Sequence, residues 1–460
     1  MKILILGGGQ VGSSVAENLA TTAKNDITVV DIYEDALKKL RDRLDIQTVQ
    51  GHAAWPSVLE QAGAEDTDLL LALTQDDTVN LVAAKIATEL FNVPTCLARV
   101  GASDYFEFQE KSVAQAFGLE ESICPEQLVT DHLYELFEYP GSLQVISFAH
   151  DIARLVVVYA RPGGKLLDRQ IREIHKDLPE GVDGRICAIY RNNRLIIPDG
   201  DTIIIEGDEV SILGATDYIN ILLEEVRDTE KKARKVMIAG GGNIGFRLAK
   251  RLESRFNLKI IEQRQQRAEW LSENLNDALV LQGSSSDEAL LKQENIDEID
   301  VFCALTNDDE NNIMSSLLAK RFGAKRVIAL VNRTAYANLI AGNNIDIVVS
   351  PNLATIGSIL AYIRRGDVQG VFPLRHGTAE FIEAVIHGNR DTSQMIGRTI
   401  EQISLPKDCH IVAVIRGEQV LIAHHDLALE EEDHVIFFVA RGQSVKELED
   451  LIQVKLGFFR

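Results

Sequence analysis

A glycine-rich turn that occurs twice constrains this chain more than any other feature. Gly7, Gly8, Gly9, Gln10, Val11 and Gly12 follow the apolar run Ile3 to Leu6. Gly240, Gly241, Gly242, Asn243, Ile244 and Gly245 follow the run Val236 to Ala239. Further stations hold nearly the same spacing. Gln50 and Gly51 match Gln282 and Gly283, Thr74 to Asp77 with Asn80 match Thr306 to Asp309 with Asn312, and Cys124 and Pro125 match Ser350 and Pro351. A slowly drifting register over so many stations is the mark of a duplication with small loop changes.

Each copy sits where a dinucleotide fingerprint needs to sit, after a short apolar strand and at the start of a helix. In that setting Gly7 permits the tight turn, Gly9 lets the backbone approach a pyrophosphate, and Gly12 allows the helix to pack closely on the strand. Gly240, Gly242 and Gly245 take the same parts in the second copy. The free N–H groups at each helix start favour an anion. A second element follows about 20 residues later, an acid at the end of the next strand: Asp31 after Val29 and Val30, Glu262 after Ile260 and Ile261. A carboxylate there accepts hydrogen bonds from ribose hydroxyls and repels a 2′-phosphate, so NAD and ATP-like ligands fit better than NADP. Two adenine-nucleotide half-sites are therefore expected, one in each repeat.

The rest of each repeat divides in two. Up to about residue 120, β-branched and apolar runs such as Ile27 to Val30, Leu69 to Leu73 and Thr95 to Ala98 alternate with helical stretches, which predicts a parallel sheet covered on both faces. A helix is expected from Pro125 to Tyr139. From about Gly141 short strands and turns take over, with strands expected at Leu155 to Tyr159, Ile186 to Tyr190, Leu195 to Ile197, Ile203 to Ile205 and Glu209 to Leu213. The second repeat does the same from about Gly370, with strands at Val412 to Ile415 and His434 to Val439. The fold class is α/β: two tandem units, each a Rossmann-like parallel-sheet domain followed by a small α+β module. The expected domains are 1–140, 141–225, a linker 226–235, 236–366 and 367–460.

Several residues admit two readings. Asp76, Asp77, Asp308 and Asp309 follow strands and could hold Mg²⁺, but acids at a helix start also cap it, and capping is the simpler reading. Thr74 and Thr306 sit at carboxyl ends of strands, where open α/β sheets take ligands. Arg99 ends another strand and could meet a phosphate. Its counterpart is Leu330, so that role is expected at one site only. His424 and His425 are adjacent, and in a strand they would point to opposite faces, so a solvated turn is the better reading. The cluster Lys231, Lys232, Arg234 and Lys235 follows acids and reads as a solvated linker.

Composition narrows the partners. The 460-residue chain carries a formal net charge of -22, which argues against nucleic acid and against adsorption to an anionic membrane surface. Its five cysteines form no Cys-x-x-Cys pair, as expected of small apolar residues in a reducing compartment. No run of about 20 apolar residues appears, so a cytoplasmic location is expected.

Two function classes stay open on the residues alone. An NAD-dependent oxidoreductase on a duplicated Rossmann scaffold would need a substrate domain with a base, and no convincing constellation stands near a strand end. A regulatory binding protein needs only nucleotide sites and a way to move. The order of glycine turn, acid, Gly51, Thr74, Asn80, Pro125 crossover and strand-rich module, all repeated, resembles the RCK (KTN) family of regulators of potassium conductance. Two full units without a membrane segment are similar to the regulatory subunits of bacterial potassium uptake systems. The resemblance covers nearly the whole chain. It implies a protein that is not an enzyme and that assembles as a ring, usually a homotetramer, on the cytoplasmic face of a separate membrane potassium transporter. It also implies binding of NAD(H) and of ATP or ADP. By the same resemblance the nucleotide positions are Gly7 to Gly12, Asp31, Gly51, Thr74 and Arg99, and Gly240 to Gly245, Glu262, Gly283 and Thr306. Helices after Pro125 and Pro351 would pair units.

Overall fold

The computed structural model describes residues 1–20, 25–102, 105, 113–173, 178–192, 194–228, 233–333, 336, 340, 345–363, 368–374, 378–440 and 444–453. They form two compact units, and sequence order does not predict the division. One unit gathers residues 1–131 and 235–360, the other 132–234 and 361–460. Like therefore assembles with like: the two parallel-sheet regions share one unit and the two small modules share the other.

In the first unit, β1 (Lys2–Leu6), β2 (Asp26–Asp31), β3 (Gln47–Gln50), β4 (Leu69–Ala72), β5 (Thr95–Arg99) and β6 (Glu121–Ile123) lie in the order β3-β2-β1-β4-β5-β6, all paired in parallel. This order reverses direction between β1 and β4, the switch point where such sheets take ligands. β1 and β4 are buried nearly throughout because helices cover both faces. The second repeat copies the sheet with β12 (Lys235–Ala239), β13 (Asn257–Glu262), β14 (Ala278–Gln282), β15 (Val301–Ala304), β16 (Arg326–Leu330) and β17 (Ile347–Val349), in the order β14-β13-β12-β15-β16-β17. The two repeats touch directly. Asn352 Nδ2 donates to Gln10 Oε1 at 2.7 Å, Arg247 donates to Gln127 Oε1 at 3.1 Å, and Arg251 pairs with Asp131.

The second unit holds two antiparallel five-stranded sheets. One has the order β10-β9-β11-β8-β7, built from β7 (Ser142–Phe148), β8 (Ala153–Tyr159), β9 (Gly184–Arg191), β10 (Arg194–Ile196) and β11 (Glu209–Ala215). The other has the order β18-β19-β22-β20-β21, built from β18 (Val368–Pro373), β19 (Glu380–Val385), β20 (Cys409–Arg416), β21 (Gln419–Ile422) and β22 (His434–Val439). One apolar core runs through both sheets. Phe148 meets Phe381 with ring centroids 6.3 Å apart, and Phe381 meets Phe438 at 5.3 Å. The Ala149 N–H donates to the buried Glu383 carboxylate at 3.0 Å, so a polar tie also joins the two modules.

One expectation shifts, at Ile203 to Ile205, and the linker and the histidine pair can be placed. Ile203 to Ile205 is not a strand: Ile203 and Ile204 make isolated bridges to Gln170 and Leu167, because the facing segment is a turn that offers no ladder. Val226 and Arg227 are buried and Lys235 opens β12, while Lys231 and Lys232 lie outside the described residues. His424 and His425 occupy the turn after β21, both exposed. Among the described residues no helix is long and apolar enough to cross a membrane.

Candidate nucleotide sites

Both glycine turns have the geometry their sequence demands. Gly7 has φ +106° and Gly240 φ +105°, a conformation that strains any side chain. Gly12 and Gly245 are needed for a reason nearer than helix-on-strand packing. A Cβ on Gly12 would stand 1.9 Å from the Gly7 carbonyl oxygen, and one on Gly245 2.0 Å from that of Gly240. The middle glycines differ. A Cβ on Gly9 or Gly242 would meet nothing within 4 Å, so each faces open space at the helix start. The helices Gln10–Ala20 and Asn243–Leu252 begin there, with Ser13 and Phe246 donating back to the Gly9 and Gly242 carbonyls. The N–H groups ahead of them have no acceptor within the helix and point to the turn's mouth. Val11 and Ile244 are buried, so only their backbone is available to a ligand.

The acids stand where expected and already hold the turns in shape. Asp31 accepts from the Gly8 N–H at 2.6 Å and the Tyr33 N–H at 2.8 Å. Glu262 is buried and accepts from the Gly241 N–H and the Arg264 N–H, both at 2.9 Å. Beside it Arg267 donates to the Gly241 carbonyl at 2.7 Å and lies over Trp270. Burial lowers the Arg267 guanidinium from its ordinary value, partly offset by the Glu262 charge. Each carboxylate has lone pairs left for a ribose diol. Gly51 and Gly283 serve the packing of the following helices: a Cβ would come within 2.6 Å of Val58 and of Leu290, respectively.

The Thr and Asp positions resolve into a clamp. Thr74 Oγ1 and the Thr74 N–H both donate to Asn80 Oδ1, at 2.7 and 3.0 Å, and Asn80 Nδ2 donates to the carbonyls of Thr74 and Arg99. Thr306 and Asn312 repeat the pattern, with Nδ2 reaching the carbonyls of Thr306 and Leu330. Both asparagines are fully buried and pin the ends of two neighbouring strands together. In the sequence these asparagines stand without an assigned role. Their signal was a fixed Thr-to-Asn spacing in both repeats. Asp76 and Asp308 cap helices Asp77–Phe91 and Asp309–Arg321 by accepting from Val79 and Asn311. Asp77 and Asp309 instead bind the loops after β5 and β16, accepting from Gly101 and Ala102 and from Asn332 and Arg333. Among the described residues, no group of three or more His, Cys, Asp and Glu gathers as a metal site.

Arg99 is not confined to one glycine turn. Arg99 lines the cavity of about 1000 Å³ at the second glycine turn, together with Glu126, Gly242, Glu262, Thr306 and Leu330. The repeats face each other, so the end of β5 reaches across to the other turn. A second cavity of about 1060 Å³ has Gly9 and Gln10 on one wall and Asn307, Asp308, Asn332 and Arg333 on another, and Arg99 borders it too. Arg333, not among the residues expected from the sequence, is a cation that the second repeat brings to this side. It pairs with Glu310 at 2.8 Å. Each glycine turn is thus walled by the opposite repeat. The arrangement can take an anionic group at the turn, a ribose at the acid, and a distal arm against the facing repeat.

Two family models match this organisation, one described as the TrkA-N domain over residues 3–125 and 236–351, the other as the TrkA-C domain over 155–226 and 390–453. The chain belongs to the TrkA family. As a TrkA-family chain it is 49% identical over the full length of both proteins to the Trk system potassium uptake protein TrkA of Halomonas elongata. It is 46% identical to that of Vibrio alginolyticus, covering 98% of this chain and 99% of the relative. The Trk system potassium uptake protein TrkA homolog 2 of Methanosarcina mazei is 32% identical over 98% of this chain and 100% of the relative. Among solved structures, the GsuK RCK domain aligns with a TM-score of 0.61 and 18% identity over 98% of this chain and 94% of that one. The GsuK channel bound to NAD aligns with the same TM-score and identity over 98% and 78%. These structures share the fold. The tandem α/β units of the TrkA family are therefore the architecture of this chain.

Proposed function

We propose that this chain is the nucleotide-binding regulatory subunit of a membrane potassium uptake transporter, gating it from the cytoplasmic face through NAD(H)-, ATP- or ADP-dependent conformational change. The observation that carries this reading is the duplicated turn-and-acid site whose outer wall belongs to the opposite repeat. Gly7 to Gly12 with Asp31, and Gly240 to Gly245 with Glu262, would hold the adenosine and first phosphates that these nucleotides share. Arg99, Glu126 and Arg333 face the region where the nucleotides differ. A ligand shifts an equilibrium only through differential contact with its states. Here that contact would fall between repeats and change their angle. A coupling of about 1–3 kcal/mol is typical of such regulation. The relatives are named as potassium uptake proteins, which favours the regulatory reading over the oxidoreductase one. A homotetrameric ring on the transporter is the assembly this reading implies.

The test is potassium flux through the transporter reconstituted with this subunit. Asp31→Ala combined with Glu262→Ala is expected to abolish the response to added nucleotide while leaving the complex assembled. An unchanged nucleotide response in that double variant would sink the reading.

A further inference from the structure

The two sites are near-copies at the turn and the acid, but they differ in the residues that follow the acid and the next strand. In the second repeat these are polar: Gln263, Arg264 and Ser284 line the cavity beyond Glu262. In the first repeat the same stations carry Ile32, Tyr33 and His52, with Trp55 three residues further on. Ile32 is 50% exposed, Tyr33 69% and Trp55 59%. The loops that carry them are neighbours. The Gly51 N–H donates to the Asp31 carbonyl, and Gln50 Nε2 donates to the Ile32 carbonyl. Trp55 stacks on His52 with centroids 5.4 Å apart and planes 25° from parallel.

Trp55 stands against the local rules of its position. It is the residue before helix Pro56–Gln61, a place that favours a short polar side chain, and it makes no capping bond. Its counterpart in the second repeat, Asp287, caps helix Glu288–Gln293 by accepting from Ala289 and Leu290. The first repeat therefore forgoes a cap and leaves a large aromatic in water. A breach of local preference beside a binding site points to function.

We infer that Tyr33 and the His52–Trp55 pair form a stacking platform for the purine base of a nucleotide held by Asp31 in the first repeat, while the second repeat reads the same end through polar groups. The inference rests on the nucleotide reading above and makes the two sites unequal by chemistry. A stacked face is indifferent to the base's edge substituents, so the first site accepts any purine and depends on the presence of a base. The second site depends more on hydrogen bonding.

The experiment uses the full chain with Trp270→Phe, which leaves Trp55 as the sole tryptophan of the two present. ADP and its base-less analogue ribose 5′-diphosphate are titrated by fluorescence and by calorimetry. ADP is expected to change Trp55 emission and the analogue is not. Trp55→Asp copies the second repeat and restores a cap, so thermal stability should hold or rise while first-site affinity for ADP falls about tenfold, as loss of one base stack implies. If ADP binds by calorimetry but Trp55 emission stays still and Trp55→Asp binds as well as the parent, the platform is overturned and the nucleotide reading stands. If ADP and NADH both fail to bind the parent chain, the nucleotide reading falls and takes the platform with it.

Discussion

Gly9 and Gly12 sit three residues apart in one turn, and a single methyl group separates their roles. At Gly12 it would collide with the Gly7 carbonyl oxygen, a backbone atom that cannot swing away. Gly12→Ala should therefore destabilise the chain by about 3 kcal/mol, the range of strained backbone sites. At Gly9 the same methyl enters open space, so Gly9→Ala should leave stability within about 0.5 kcal/mol. Its effect should fall on a ligand that approaches the backbone there. Denaturant melts and ADP calorimetry on the two variants separate fold from binding. A Gly9→Ala chain that keeps full ADP affinity would remove the turn from the site. The backbone needs of Gly7 and Gly12 were legible in the sequence because their spacing has a steric cause. The nearest obstacle to a side chain at Gly12 was not legible, because it lies in the turn itself.

At the scale of elements, the asparagine clamp does what a strand pair cannot do alone. β4 and β5 end together because Asn80 bonds the carbonyls of Thr74 and Arg99, and β15 and β16 end together through Asn312. Asn312→Ala would leave the Thr306 N–H and two carbonyls without this partner in a buried setting. A loss of about 3 kcal/mol is expected, with one orphaned buried group costing about 1–3 kcal/mol. Asp308→Ala removes only a helix cap at the surface and should cost about 1 kcal/mol. Urea unfolding of both variants checks the ranking, and equal losses would show that the clamp is no more than a cap. The caps themselves were readable, since an acid at a helix start has a local cause. The strands were readable where apolar runs were continuous, as at Leu69 to Leu73. Ile203 to Ile205 failed because β-branched content signals a strand even where the facing segment is a turn that gives only isolated bridges. That Arg99 also borders the second turn was not legible, because nothing local says that the end of β5 reaches both cavities.

Over the whole molecule, the grouping of the parallel sheets in one unit and of the small modules in the other gives four of the five thiols a use as reporters. Cys96 and Cys303 lie in strands of the first unit, Cys187 and Cys409 in strands of the second, and all are buried. Burial pushes each of these four thiols up to about 12, so neither access nor ionisation favours reaction in the folded state. Labelling by a thiol reagent should then follow opening of the unit that holds the cysteine. A ligand bound only to the closed form at about 100 times its Kd adds about 2.7 kcal/mol, which slows labelling about a hundredfold. Both glycine turns belong to the first unit. ADP should therefore protect Cys96 and Cys303 strongly, while Cys187 and Cys409 keep their own rate, as peptide mass mapping of labelled chain over time would show. Equal protection of all four would mean that the two units open as one, and the nucleotide signal would then reach the small modules through global stability and not through the wall between repeats.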